Sequence, residues 1–355
     1  MRSCLHARAA EPDRVAAEGA VRRAVVWYLA AAGATEEIIS PTRRRLDRDL
    51  GEGPLGPPPP FADEPGALRW LDVEQRHLLT AVRTCAERGW DGLACQLADA
   101  LWPLCLRLRP YQLWTEVHRI GLAAARRAGH PTGERRMLTS GGIELYNSGE
   151  YDMAIHWFEQ ALAMARTIDD RRTEAQALHG IGQAHHLAGR PAEAVAFFRR
   201  ALTLREEIGH RRGAALSRIS LGDACTELGR PADAQPLLAR ARADLLALPD
   251  RYEAARALAL LGRADAALGR YELADSRLEE AIGEFRACGS RAWEARVFGL
   301  LGESALAQGR PDTARERYER ALRIYESIPG PDLLRITERI AALPGGSPPQ
   351  RSDTG

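Results

Sequence analysis

Apolar and polar positions recur along this chain in a pattern that repeats every 40 residues. In one unit, Leu178, Ile181, Gly182 and His185 fall at helical steps ahead of a turn. Behind the turn, Ala194, Phe198, Ala201 and Leu202 follow at i, i+4, i+7 and i+8, which predicts a second apolar helical face. Each unit therefore predicts two antiparallel helices, A and B. The turns read Gly149-Glu150-Tyr151, Gly189-Arg190-Pro191, Gly229-Arg230-Pro231, Gly269-Arg270-Tyr271 and Gly309-Arg310-Pro311. Gly there supplies the left-handed end of helix A, and Pro opens helix B where its missing N–H costs nothing.

Small and large residues hold fixed places around these turns. Gly142, Gly182, Gly222, Gly262 and Gly302 precede them, and Ala154, Ala194, Ala234, Ala274 and Ala314 follow. A second set, Ala161, Ala201, Ala241, Ala281 and Ala321, flanks one large apolar residue per unit: Phe158, Phe198, Leu238, Leu278 and Tyr318. Small positions let helix backbones approach, and the large one fills the gap between them. A single hairpin cannot bury its apolar face alone, so the hairpins must stack.

With Gly182 as the eighth position, Leu178 and Ile181 fall on the fourth and seventh, and Ala194, Phe198 and Ala201 on a small-large-small series in helix B. The pattern resembles the tetratricopeptide repeat (TPR), with helices longer than those of the usual repeat of about 34 residues. The resemblance implies an all-α fold, a right-handed TPR superhelix (α-solenoid) of antiparallel helix pairs. Arg218 and Asp265 occupy positions that are apolar in other units, and Arg242 replaces a Leu or Ile. Those units are expected either to be looser or to pair these charges.

The flanks divide the chain further. Residues 1–50 are expected to form a helical connector, partly disordered, with a short helix over Val21–Ala32 and a basic run over Thr42–Arg48. Arg43, Arg44 and Arg45 in that run read as a solvated charge face. A stiff Pro/Gly linker follows at 51–60. Residues 61–130 predict atypical capping helices, with an amphipathic helix over Ala67–Arg88, and a degenerate repeat containing Leu101, Trp102, Arg109-Pro110-Tyr111, Trp114, His118 and Gly121. Five repeats and a closing helix, Asp332–Leu343, fill 131–343, and 344–355 reads as a disordered tail.

The junction from Phe61-Ala62-Asp63-Glu64 through Trp70-Leu71 to Leu78-Leu79-Thr80-Ala81-Val82 is similar to the entry into the TPR region of actinobacterial STAND-type transcriptional regulators. In that family an NB-ARC nucleotide-binding module and a winged helix come first, and Val21–Leu46 resembles the helical connector after them. The resemblance spans about residues 11–343 and implies the sensor or partner-binding half of such a regulator. The ATPase motifs and the DNA-binding domain have no counterpart here.

Composition narrows the function. All 49 basic residues are Arg, which removes a Walker A loop and Schiff-base or pyridoxal chemistry, both of which need Lys. The net charge of +1 gives no bulk attraction to nucleic acid, and no DNA-reading motif is present, so direct nucleic-acid binding is disfavoured. Cys4, Cys85, Cys95, Cys105, Cys225 and Cys288 include no C-x-x-C pair and read as reduced thiols. No stretch has the length and apolarity of a signal peptide or a membrane span, so a cytoplasmic protein without membrane contact is expected. His185-His186 point about 100° apart on a helix and do not form a two-His metal face, and no catalytic constellation, metal site or cofactor motif is read.

Binding is the remaining reading. The TPR resemblance places helix A along a concave groove, and its positions two, five, nine and twelve map onto Arg136, Thr139, Tyr146, Gln176, His179, Gln183, His186, Asp223, Thr226, Arg256, Arg263, Arg296 and Glu303. Amide, imidazole and guanidinium groups suit an extended peptide, and Arg256, Arg263 and Arg296 suit an acidic segment or carboxylate. The sequence therefore predicts a non-catalytic protein- or peptide-binding scaffold or sensor in transcriptional or signalling regulation. Two alternatives are a receptor for a small signalling peptide and a remnant sensor half of a larger NTPase regulator.

Overall fold

The computed structural model of the chain describes residues 2–41, 43–52, 56–108, 110–327 and 332–343. Among the described residues the structure is all-helical, with sixteen helices and no strand. They fall into two compact units, Met1–Ala184 and His185–Gly355.

The first unit opens with α1 (Arg2–Ile39), well beyond the short helix the sequence predicts, and continues with α2 (Glu64–Glu87), α3 (Asp91–Ala100), α4 (Trp102–Leu108) and α5 (Tyr111–Arg127). One and a half repeats follow in α6 (Pro131–Asn147), α7 (Tyr151–Thr167) and most of α8 (Arg171–Leu187). Helix α1 packs on α2, α3 and α4 and buries Val25, Val26, Leu29 and Ala32. The degenerate repeat has its first helix broken in two. Pro103, in the first turn of α4, has no N–H to return to the Asp99 carbonyl. That carbonyl instead accepts a hydrogen bond from Arg43 Nη1 at 3.2 Å.

This contact overturns the solvated reading for Arg43, and ion pairs to Glu36 and Glu37 do so for Arg45, while Arg44 stays exposed. Arg43 is 11% exposed and Arg48 13%, and both pair with the fully buried Glu36 on α1. Arg43 also reaches the buried Asp99 carboxylate at 2.6 Å, whose other oxygen accepts the Leu46 backbone N–H at 3.0 Å. The chain after α1 therefore folds back across α3, where Asp99, 56 positions on, and Glu36 of α1 neutralise Arg43. Of the 51–60 stretch, Gly53–Leu55 lie outside the described residues, while Pro57 accepts a hydrogen bond from Trp27 Nε1 at 2.8 Å. The tail at 344–355 is likewise outside them.

The second unit takes up the array at the end of α8 and continues with α9 (Pro191–Glu207), α10 (Arg211–Glu227), α11 (Pro231–Leu246), α12 (Arg251–Ala267), α13 (Tyr271–Ala287), α14 (Arg291–Ala307), α15 (Pro311–Tyr325) and α16 (Asp332–Ala341). From α9 on each helix pairs with the next, and the A helices α10, α12 and α14 also pack side by side. The Ala positions on either side of the large residue are fully buried in every repeat, as are Phe158, Phe198, Leu238 and Leu278. A Cβ on Gly222 or Gly262 would lie 2.7 or 2.9 Å from the Leu238 or Leu278 side chain, and one on Gly302 would lie 2.3 Å from the Tyr318 ring. The helix-A Gly thus faces the large helix-B residue of its own hairpin.

The turns close as the sequence predicts. Gly189 has φ +74°, the Gly189 N–H bonds the His186 carbonyl at 3.0 Å, and the Arg190 N–H bonds the His185 carbonyl at 2.9 Å. The same left-handed conformation returns between B and A helices at Gly129, Gly209 and Gly289, and at Asp169. The three charges out of pattern are paired. Arg218 meets Glu206 at 2.5 Å and Asp244 at 2.9 Å, and Arg242 meets Glu280 at 2.7 Å and Glu284 at 2.9 Å. Fully buried Asp265 bonds Gln235 at 2.5 Å and pairs with Arg277. Their partners are side chains of the same or an adjacent repeat, so these repeats stay packed.

Candidate functional site

The sequence-predicted groove residues lie on A helices, and their surroundings differ between the two units. In the first unit Arg136 sits on Asp99 at 3.0 Å, and burial together with the Arg43 charge pulls its pKa down to about 10. Thr139 is buried, with its hydroxyl bonded to the Arg135 and Arg136 carbonyls at 3.0 and 3.1 Å. Tyr146 stacks at 6.2 Å on Phe158, and Gln176, His179 and Gln183 are half-buried. Arg136 Nε and the Thr139 hydroxyl are therefore committed to contacts within the scaffold.

In the second unit the predicted residues meet one another. His186 Nε2 donates to Glu227 at 2.8 Å. Arg263 on α12 donates to Asp223 at 2.6 Å and to Glu227 at 3.4 Å. Glu303 on α14 pairs with Arg339 on α16 at 2.5 Å. Asp223, Arg263 and Glu303 share one position of successive repeats, so a ladder of alternating charge runs from α10 through α12 and α14 to α16. Thr226 is buried beside it, and its hydroxyl bonds the Gly222 carbonyl at 3.0 Å.

The electrostatics follow from this geometry. Burial alone lowers the basicity of His186, but the Glu227 hydrogen bond and the Asp223 and Glu227 charges outweigh it, and its pKa stands above the ordinary histidine value. Burial pushes the Glu227 carboxyl up, yet His186 and Arg263 hold it below its usual range. Burial likewise opposes the charge on Arg263, and Asp223, Glu303 and Glu227 more than restore it. His186, Asp223 and Glu227 each offer one possible metal-ligand atom, all within 4.8 Å of one another. The Arg263 guanidinium offsets one of the two carboxylate charges at that place.

The pairing has a pH signature. A raised histidine pKa stabilises the fold fully below the unfolded value of about 6.5, and the gain disappears as pH rises through the folded value. The depressed Glu227 pKa acts oppositely: its gain is present above about 4.3 and is lost as pH falls through the folded value. The melting-temperature difference between wild type and His186→Gln is therefore expected to be largest between about pH 4.3 and 6.5 and to shrink by pH 8. A difference that stays flat from pH 4.5 to 8 would contradict the pairing.

Arg256 and Arg296 border the ladder on α12 and α14. Both guanidinium groups lie over the Trp293 ring, at 5.2 and 4.6 Å from its centre. Trp293 in turn stacks at 5.3 Å on the buried Phe285. Arg256 is tied to Glu253 at 2.6 Å. Arg296 is 49% exposed, and Asp223 approaches it only to 4.0 Å, beyond hydrogen-bond reach. Trp293, partly buried, belongs to this candidate site though helical spacing alone did not reveal it; its signal was an aromatic three residues before Arg296 and 37 after Arg256.

Side-by-side hairpins on a 40-residue period, each closed by a Gly turn and a small-large-small face, define a helical-repeat protein of the α-solenoid kind. Models of the tetratricopeptide repeat match residues 136–207 and 300–332. The chain contains tetratricopeptide repeats over these residues. The apo form of RapI is a similar solved structure, with TM-score 0.59, 14% identity, and coverage of 74% of this chain and 97% of that one. A Rap protein complexed with competence and sporulation factor matches with TM-score 0.55 and 12% identity, over 70% of this chain and 76% of that one. The Rap conjugation gene regulator of plasmid pLS20, in complex with the Phr* peptide, matches with TM-score 0.55 and 15% identity, over 77% and 74%. At these identities the likeness concerns the fold. No curated protein matches the chain significantly. No described helix is long and apolar enough to cross a membrane.

Proposed function

We propose that the chain is a non-catalytic binding protein whose A-helix face in the second unit holds an extended protein or peptide segment, with an acidic group of that segment on Arg296. The carrying observation is the state of Arg296: half-exposed, laid on Trp293, and without an anion within hydrogen-bond reach. A guanidinium ordered in this way offers a planar fork to a carboxylate at little further entropy cost. Arg263, by contrast, is committed to Asp223 and Glu227, and Arg256 to Glu253. The TPR fold supports the non-catalytic reading because it generally serves as a binding scaffold.

A displayed library of random peptides, selected on the full chain, tests this reading. Acidic residues should be enriched, and Arg296→Glu should weaken the selected peptide about tenfold or more while leaving the helical content unchanged. Equal binding to Arg296→Glu would remove the acidic contact, and selection of no peptide at all would remove the peptide reading. The Rap complexes with competence and sporulation factor and with Phr* favour a second form of the proposal, in which the ligand is a free signalling peptide. A short free peptide that raises the melting temperature at micromolar concentration would separate that form from a segment of a folded partner. The actinobacterial regulators that the 61–82 junction resembles suggest a regulatory setting for either form.

A further inference from the structure

His186, Asp223 and Glu227 converge from two A helices, although His186 and Glu227 are 41 positions apart in the chain. Asp223 and Glu227 stand four residues apart on α10, so one helical turn presents both carboxylates on one face. His186, near the end of α8, reaches that face with Nε2 2.8 Å from Glu227 Oε2. One ligand atom of each residue lies within 4.8 Å of the other two. Tetrahedral zinc takes such atoms at about 2.1 Å from the ion and about 3.4 Å from one another, so small side-chain rotations close the set. The place is open to solvent on one side. Glu227 is 32% exposed, while His186 and Asp223, each 10% exposed, form the inner wall.

Charge and donor type choose the ligand. With the imidazole neutral, Arg263 balances one of the two carboxylates and leaves a negative charge, which a divalent ion in place of the guanidinium cancels. Arg263 holds Asp223 at 2.6 Å, but its contacts with Glu227 are long, 3.4 and 3.5 Å. Glu303 on α14 also stabilises the Arg263 charge, and α14 packs against α12. The guanidinium thus has a second carboxylate to turn to. One imidazole nitrogen with two carboxylate oxygens suits zinc, whereas magnesium and calcium prefer all-oxygen sites.

We propose that His186, Asp223 and Glu227 bind one zinc ion, which displaces Arg263 from the two carboxylates. Zinc binding here needs no peptide at Arg296. Calorimetric titration of the full chain, with the exposed Cys288 alkylated, should give one zinc ion per chain and no comparable binding of magnesium or calcium. His186→Gln and Glu227→Gln should each weaken zinc by at least about tenfold. Arg263→Gln removes the competing charge and no ligand, and should tighten zinc severalfold, which a purely structural ion-pair network would not do. The rise in melting temperature on adding zinc, taken within each variant, should follow the same order even where a variant is less stable. No zinc binding, equal binding of magnesium, or zinc affinity unchanged in His186→Gln would overturn the site. Zinc affinity that does not rise in Arg263→Gln would overturn the displacement.

Discussion

Replacing Asp99 with Ala is expected to lower the stability of the first unit by about 3–5 kcal/mol, the range for removing one partner of a buried ion pair. The carboxylate is fully buried and holds three groups at once: Arg43 at 2.6 Å, Arg136 at 3.0 Å and the Leu46 N–H at 3.0 Å. Without it, two buried guanidinium groups lose a counter-charge and a backbone donor is left unpaired. Burial opposes its ionisation, but Arg43 and Arg136 outweigh burial and keep the carboxyl below the usual aspartate range. Its contribution is therefore complete above the unfolded value of about 3.9 and is lost as pH falls through the folded value. Urea unfolding of Asp99→Ala should show the loss, and limited proteolysis should open the chain around residues 43–48 first. A loss under 1 kcal/mol would mean that the fold-back over α3 is not held by this carboxylate.

The second large effect concerns the wedge of the repeat. Phe158 is fully buried, and a Cβ on Gly142 or Gly180 would come within 2.8 or 2.4 Å of its ring. Truncation to Ala removes the ring from between two helices that have no side chain at those points, so collapse cannot refill the space. A loss of about 3–5 kcal/mol is expected. Adding Gly180→Ala to that variant should recover part of it, because the new methyl enters the cavity and the helix gains an Ala for a Gly. In wild type the same Gly180→Ala change should be destabilising, since the ring must move. Equal effects of Gly180→Ala in both backgrounds, measured by denaturant unfolding, would show that ring and glycine do not share this space.

Much of the fold is legible in the amino-acid order because the packing rule is local and repeated. The Gly222 and Leu238 contact lies within one hairpin, and its equivalents recur at Gly262 and Leu278, so one spacing carries the architecture. The paired state of Arg218 and Arg242 was open from sequence, since their partners sit on neighbouring helices. The N-terminal segment was misread for the same reason. Three consecutive arginines resemble a solvated run, as Arg44 is, until Glu36 and Asp99 are brought to Arg43, and nothing periodic announces that meeting. Candidate binding residues were legible as positions on helix A but not as contacts. That Arg263 is hydrogen-bonded to a carboxylate and Arg296 is only near one depends on which carboxylate stands on the neighbouring helices.

The alternation of Asp223, Arg263, Glu303 and Arg339 along successive helices also bears on misassembly. Arrays of near-identical hairpins are prone to docking with one unit skipped, because the apolar seams of all units are alike. Skipping a unit here would bring Asp223 against Glu303 and Arg263 against Arg339, setting like charges together where opposite ones meet in the correct order. The hydrophobic seam tolerates a frame error that the charged row rejects.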